Sequence, residues 1–484
     1  MKDYIEKKST VRRNEFVERK SFSPHNYRSI HFVNKNVFPL SEFLEENQKG
    51  FEPGSNSYIK FTENHFIRIG ELSDEELSFN IKPSTLKIKP PEKNRKTLKY
   101  GDICYQTASN VGNVCVYEGP EAYFNSHIRK LSFKKHKFYI FSLLKSSFGR
   151  NQVEVGGSIK GVDNFQKDML NNTLIVLPNE KNYKTPDLLI EYIENITQNI
   201  LHKEDMIRTK VSSINKIFKD ELSRAEKKFN YKYPTKEEVL KKEKRLDTGL
   251  YTQRYKKILQ NIKDYPNGYF QLGEMSSEWV SGSTPSISYK TNSKEDTMWI
   301  AVADIDYGLK YKRLNLFKVS DDINELKDGD ILITRKGATV GKMIIYYNPW
   351  NGRAFVNEDL KVLRLNETDS KKIFIGLFLN SEFGQAQLLS NGSKGTKQGL
   401  TNPNILSTLI PNINTELTDK LAKLYFNPLP TNENLNARTY LTREKQRNEK
   451  LGLSNLNLEC FVLKEHLEII LDDIIKDKQV KFSY

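Results

Sequence analysis

The chain has 484 residues, room for about three domains, and it carries 76 Lys+Arg against 61 Asp+Glu, a formal charge of +15 that favours a polyanionic partner. Three scattered cysteines, Cys104, Cys115 and Cys460, exclude a disulfide framework or a cysteine metal pair and point to a reducing compartment. No apolar signal segment opens the chain and no run reaches membrane-spanning length, so the expectation is a soluble, cytoplasmic protein.

Residues 1–35 read as an N-terminal arm, the first 20 charged and without periodicity. Residues 36–180 then read as short β-branched or alternating runs bounded by Gly, Pro, Asn and Asp, with a short helix over Phe138 to Ser147. Thr185-Pro186-Asp187 opens a helix, with a cap oxygen, proline at the first helical position and an acid at the positive dipole end. Ile193, Ile200, Ile207 and Ile214 recur every seven residues along it, with Leu189, Ile196 and Ile217 in the other seam position and Lys203 and Lys210 interrupting. Such a stripe demands a covering helix. From Thr185 to near Leu222 it would span roughly 55 Å, more than one ~34 Å turn of duplex DNA. Residues 185–262 are thus a central helical spacer in which Lys227 to Lys244 reads as a solvated connection.

Residues 268–413 repeat the first globule. Phe66 to Leu72 matches Trp299 to Ile305, Lys99-Tyr100-Gly101-Asp102-Ile103 matches Lys327-Asp328-Gly329-Asp330-Ile331, and Val111-Gly112 matches Val340-Gly341. Ala122 to Asn125, Ser147-Phe148-Gly149, Gly157-Ser158 and Leu177-Pro178-Asn179 find partners at Ala354 to Asn357, Glu382-Phe383-Gly384, Gly392-Ser393 and Ile410-Pro411-Asn412. Seven matches in fixed order, at a period far beyond any solenoid repeat, read as a duplicated domain. Tyr27-Arg28-Ser29-Ile30 and Tyr255-Lys256-Lys257-Ile258 suggest that the repeat begins earlier still. The four glycines Gly101, Gly112, Gly329 and Gly341 are expected in turns, and Phe66, Trp299, Phe148 and Phe383 in cores. Residues 415–484 form a C-terminal helical region: Thr415 to Leu424 is a short helix, and after a polar interruption at 428–455 a second heptad stripe runs through Leu456, Leu463 and Ile470, with Cys460, Leu467 and Ile474 between. The fold class is therefore mixed α+β, two β-rich α/β globules separated by long helices that pair as an antiparallel, coiled-coil-like rod.

In order, Phe270-Gln271-Leu272-Gly273-Glu274, Ser281 to Ser286, Trp299-Ile300 with Asp304-Ile305, Gly329 to Gly337 and Val340-Gly341-Lys342 resemble the target recognition domain of type I restriction-modification specificity (S) subunits. The first copy follows more loosely through Phe38-Pro39-Leu40, Pro53-Gly54-Ser55, Phe66 to Leu72 and Gly101-Asp102-Ile103. The resemblance spans roughly residues 25–425. It implies a non-catalytic subunit whose two recognition domains each read half of a bipartite double-stranded DNA target, while the helices dock modification (methyltransferase) subunits, expected as two, and restriction subunits. S-adenosylmethionine and ATP/Mg would serve those partners, with no cofactor and no metal in this chain. A separable specificity subunit of a type II system, or a non-modifying bipartite nucleic-acid scaffold, is the alternative.

Base edges are read by Arg, Lys, Asn and Gln, phosphates by Lys, Arg, Ser and amides. On the loops of the first copy these are Gln106, Ser109, Asn110, Asn113, Ser158 and Lys160; on those of the second, Arg335, Lys336, Lys342, Lys394, Lys397 and Gln398. Helix pairing is assigned to Ile193, Ile200, Ile207, Ile214, Leu456, Leu463, Leu467 and Ile470. A methyltransferase in this chain would need an Asp/Asn-Pro-Pro-aromatic motif, whereas the sole Pro-Pro, Pro90-Pro91, lies between Lys89 and Glu92. A metal nuclease could cite Asp330 with Asp359-Leu360-Lys361, but the first copy places His127-Ile128-Arg129 there, so a charged strand edge is the better reading. The histidines lack a His-Glu-x-x-His spacing, and no P-loop is present.

Overall fold

Two turns set the frame of each globule. In a computed structural model of the chain, Gly101 and Gly329 both adopt φ +86°, a conformation that costs glycine nothing and side-chain-bearing residues dearly. Asp102 and Asp330 close the same turns, their carboxylates accepting from the backbone N–H of Lys99 (2.7 Å) and Lys327 (2.8 Å). Each aspartate leads into a buried strand, Ile103–Gln106 or Ile331–Thr334. The structure describes all residues except 1–2, 8–9, 11–27, 92–94, 158–166, 225–227, 244–247, 276, 283–288, 292–296, 307–308, 312–315, 319–323, 337–338, 349–351, 393–398, 432–436 and 481–484.

The chain divides into two units. The first holds Met1–Asp205, Pro430–Glu449 and Val462–Tyr484, and the second holds Met206–Leu429 and Lys450–Phe461. In the first, a five-stranded sheet runs in the order Leu44–Lys49, Ile128–Phe133, Ile103–Gln106, Val114–Tyr117 and Ser78–Phe79, and a smaller one in the order Leu86–Lys87, His65–Ile67, Ala122–Phe124 and Thr97–Leu98. The second unit repeats this with Ser277–Ser281, Leu360–Leu365, Ile331–Thr334 and Met343–Ile345, and with Tyr289–Thr291, Leu316–Lys318, Thr297–Ile300 and Ala354–Val356. One parallel pairing recurs in the smaller sheets, Phe66 opposite Tyr123 and Trp299 opposite Phe355. Ile67, Leu98, Cys104, Cys115 and Phe124 fill the first core; Met298, Ile300, Leu332, Ile344 and Val356 fill the second. The helix Lys137–Lys145 stands where the sequence put one, over Phe138 to Ser147, and Asp369–Asn380 takes the matching place in the second unit, where the sequence expects a helix over Lys372 to Ser381. None of the three cysteines is in a disulfide, and all are buried.

A close approach corrects one alignment. The first-copy partner of Gly282 is Gly50, not the glycine of Pro53-Gly54-Ser55. A Cβ would lie 2.3 Å from the Asn125 carbonyl oxygen at Gly50 and 2.1 Å from that of Asn357 at Gly282, while Gly54 meets nothing within 4 Å. Gly50→Ala and Gly282→Ala are each expected to destabilise their own unit by about 1–3 kcal/mol, since backbone must move to admit the methyl. Denaturant unfolding checks this, with Gly54→Ala as the neutral control.

Three other expectations change. The N-terminal arm is anchored in its described part: Ile5–Lys7 pairs antiparallel with Arg28–Ile30, and Tyr4 is buried, its hydroxyl donating to Asp472 (2.7 Å) and its N–H to Asn151 (2.8 Å). The repeat does not extend upstream, because Arg28–Ile30 is a strand whereas Tyr255 to Ile258 lies in the helix Gln253–Lys263, capped by Thr252 and burying Tyr255, Ile258 and Ile262. Sequence likeness there is a coincidence of composition overridden by context. Within 227–244, Val239 packs on Leu250, Tyr251 and Tyr255, and Tyr231 donates to the Tyr251 carbonyl (2.6 Å), so that stretch is more than a solvated connection.

The long helix is Pro186–Arg224, 39 residues, and the terminal one Leu453–Ile475. Each contributes to both units. Ile193, Ile200, Ile207, Ile214, Leu456, Leu467 and Ile470 are buried and Leu463 is half-buried. Within the first unit, Tyr192 meets His466 edge-on, its hydroxyl 3.2 Å from Nε2. The polar interruption contains a helix, Ala437–Lys450.

Candidate nucleic-acid interface

The loops after Ile103–Gln106 and Ile331–Thr334 are clamped alike at both ends. Gln106 N–H donates to the Asn113 carbonyl (2.8 Å) and Gly112 N–H to Gln106 (2.9 Å); Thr334 N–H donates to Lys342 (2.9 Å) and Gly341 N–H to Thr334 (3.1 Å). Gly112 (φ +83°) and Gly341 (φ +87°) turn the chain, as their positions in the sequence suggest. Between the clamps stand Thr107-Ala108-Ser109-Asn110-Val111 in one copy and Arg335-Lys336-Gly337-Ala338-Thr339-Val340 in the other. The frame is shared and its contents differ in length and charge.

The nominated residues distribute unevenly over this frame. Ser109 is exposed at φ +64°. Asn110 is half-buried and held between Asp74 and Arg150. Gln106 and Asn113 are buried: the Gln106 amide donates to the Ala108 carbonyl (2.9 Å), while Asn113 donates to Ser73 (3.2 Å) and accepts from Lys145 (2.9 Å). Their side chains work as internal braces of the loop. Arg335 is half-buried and donates to Asn402 (3.2 Å); Lys336 is exposed, 3.7 Å from Asp359; Lys342 is half-buried. Ser158, Lys160, Lys394, Lys397 and Gln398 lie outside the described residues. The residues that follow 398 nevertheless reach this place, since Lys336 bridges Gly399 and Leu400 N–H donates to the Arg335 carbonyl (2.9 Å).

A third cation belongs with Arg335 and Lys336. Lys361 stands second in the strand Leu360–Leu365 beside them and donates to Ser281 Oγ (2.6 Å); partial burial, followed by the charges of Arg335 and Lys336, pushes its ammonium below the usual lysine range. Three gathered cations, with the exposed Asp359 carboxylate nearby, make a place for an anion, because an exposed Lys–Asp pair contributes little. The same strand position in the first copy holds Arg129, which reaches Asn47 (3.5 Å). Sequence reasoning met Lys361 and Arg129 only in the nuclease comparison. The usable signal was a cation at the same place after the Asn turn in both copies.

Of the acids in the nuclease comparison, Asp359 is exposed beside Lys336, while Asp330 and its first-copy counterpart Asp102 are structural. Asp330 is buried and takes two hydrogen bonds from Arg364 (2.9 and 2.8 Å), and Asp102 is bound by Lys130 (2.7 Å). Among the described residues no cluster of His, Cys, Asp and Glu could hold a metal ion.

Among solved structures, the chain is similar to type I restriction-modification S subunits. One, from M. genitalium, is 11% identical over 92% of this chain and 98% of its own, with a TM-score of 0.41. A second, from work on complex assembly and conformational transition of the type I R-M system, is 15% identical over 93% and 99%, with a TM-score of 0.29. The HsdS subunit from Thermoanaerobacter tengcongensis is 15% identical over 91% and 96%, with a TM-score of 0.28. No family model and no curated protein matches the sequence. At these scores the likeness carries no functional argument, which rests on the residues themselves. Among the described residues no helix is long and apolar enough to cross a membrane.

Proposed function

We propose that this chain is the DNA-specificity subunit of a restriction-modification complex, each β-rich unit reading one half of a bipartite duplex target. One observation carries the reading: two copies of a hydrogen-bonded frame present loops of different length and charge at the same place. Equal frames suit equal docking on two stretches of duplex, and unequal loops suit unequal base sequences. In the second unit Arg335, Lys336 and Lys361 form the contact, with Lys342 and, from the sequence, Lys394, Lys397 and Gln398 nominated alongside. In the first, Ser109, Asn110 and Arg129 form it, with Ser158 and Lys160. The chemistry is delegated: modification subunits methylate adenine using S-adenosylmethionine, restriction subunits use ATP/Mg, and the helices supply the docking surfaces.

Co-expression with the neighbouring methyltransferase subunit, followed by sequencing of host DNA for methyladenine, tests this. A bipartite motif that requires this chain, and changes in one half when residues 36–180 are swapped, is the expected result. Methylation absent despite a stable purified complex would sink the reading. In the same assay Arg335→Ala with Lys361→Gln should lower methylation roughly 10- to 100-fold, the loss of about one base contact, or relax one half of the motif. The half read by the first unit should stay unchanged.

A further inference from the structure

The smaller sheet of the first unit has a second face that the half-site reading does not use. Leu86, Phe66, Tyr123 and Thr97 stand opposite one another across all four strands. Their neighbours Ile67, Ala122, Phe124 and Leu98 point into the core, so strand alternation turns this row outward. Aromatic rings cover it: Phe51 meets Phe66 (5.7 Å) and Tyr123 (5.9 Å) edge-on, and Tyr58 meets Phe66 (6.0 Å). The Arg95 guanidinium lies 5.0 Å over the Phe51 ring.

Exposure marks the surface as unfinished. Phe61 is 95% exposed and Tyr58 37%. Lys60 precedes Phe61 in the chain, Lys89 N–H donates to Ser57 beside Tyr58, Lys96 follows Arg95, and all four cations are exposed. From Ile81 to Lys99 the sequence has seven Lys or Arg against one Glu, while the corresponding stretch of the second copy, Leu309 to Lys327, has five against three. The feature belongs to the first unit. Its Tyr58 end is remote from the reading loop, because Lys87 and Ile88 pair at the His65 and Tyr58 end of this sheet, whereas loop 107–111 adjoins Asn125 to His127 at the other, where Phe51 bridges Asn125.

Phosphate alone would need only the cations. Exposed aromatic rings among Lys and Arg, in the layer that covers the sheet, fit unpaired nucleic acid, whose bases stack on rings while the backbone follows the positive charge. We infer that the outer face of the sheet Leu86–Lys87, His65–Ile67, Ala122–Phe124 and Thr97–Leu98 binds single-stranded nucleic acid, with Phe61 and Tyr58 as stacking platforms and Lys60, Lys89, Arg95 and Lys96 along the backbone. It uses residues other than those of the half-site reading and stands independently of it.

The test is fluorescence anisotropy of the full chain with labelled oligothymidylate and with a duplex of equal length, each across a salt series. The expected result is binding of the single strand, weakened roughly 5- to 100-fold by Phe61→Ala. The combined Lys89→Gln, Arg95→Gln and Lys96→Gln variant should lower the salt slope by about two, at roughly 0.7 per phosphate contact. Absence of single-strand binding by the unaltered chain, or affinity unmoved by Phe61→Ala, overturns the inference. So does loss of duplex binding alone in the charge variant, which would make the surface a duplex clamp. Phe61→Ala should still support the host-methylation motif. Failure of methylation by the unaltered chain would count against the specificity reading without touching this one.

Discussion

Glu204→Ala is expected to lower the stability of the first unit by about 3–5 kcal/mol, the cost of breaking a buried charge pair from one side. The Glu204 carboxylate is fully buried and accepts from Leu77 N–H (2.9 Å), Ser78 N–H (2.8 Å), Ser78 Oγ (2.8 Å) and Lys464 Nζ (2.6 Å). It therefore ties the edge strand Ser78–Phe79 of the five-stranded sheet to the long helix and the terminal helix through one side chain. Removal strips the acceptor from two amides, a hydroxyl and an ammonium, and nothing of alanine's size replaces it. Glu204→Gln should cost less, since one oxygen still accepts.

The pH dependence follows from the same contacts. Burial would raise the Glu204 carboxyl, but Lys464 and the amide and hydroxyl donors outweigh it and hold the group below its ordinary value. A carboxyl depressed in the folded state stabilises fully above its unfolded pKa, near 4.5, and loses that contribution as pH falls through the lower folded value. The stability gap between the native chain and Glu204→Gln, read by urea midpoints, should be constant from pH 5 to 8 and narrow in acid below about pH 4. A gap unchanged down to pH 3 would show that Lys464 does not hold the carboxylate charged.

Much of the frame was legible because the residues that build it are ones whose backbone demands are strict. Gly101 and Gly329 announce left-handed turns and Asp102 and Asp330 their caps, so the duplicated Gly-Asp pairs carry their own geometry. The heptad isoleucines are equally plain, since a stripe every seven residues must be covered. What escaped depends on partners distant in sequence. Tyr4 is fixed by Asn151 and Asp472, so the charged N-terminal residues around it give no local hint. Gln106 and Asn113 carry the same amide chemistry as base readers and were nominated for it, but Ala108, Ser73 and Lys145 occupy their polar atoms. Phe66 is buried as expected, yet on the outer side of its sheet, a distinction made by pairing register and invisible to composition.

Lys203→Ala should destabilise the first unit toward the lower end of about 3–5 kcal/mol, for a reason that also explains the polar interruption. Lys203 breaks the heptad stripe of the long helix, and in the structure it is completely buried, donating to Asn448 Oδ1 (2.6 Å) and lying 3.8 Å from Glu444. Asn448 in turn donates to Asn199 Oδ1 (2.9 Å), and Asn199 donates to the Tyr440 hydroxyl (2.9 Å) and Glu444 (3.3 Å). The helix Ala437–Lys450 is thus seated on the long helix by hydrogen bonds where its sequence has little apolar surface to bury. Its low hydrophobicity made it read as a polar interruption. Arg447, 3.4 Å from Glu444, leaves that carboxylate a counter-charge when Lys203 is gone, which is why the loss should fall short of the full range. A double-mutant cycle of Lys203→Met and Glu444→Gln should return a coupling of about 0.5–3 kcal/mol. Proteolysis is the sharper readout, because a helix held largely by polar contacts loses most of its anchorage with them. In Lys203→Ala, cleavage within 437–450 should precede cleavage of either sheet; if that helix stays as resistant as in the native chain, the network does not hold it.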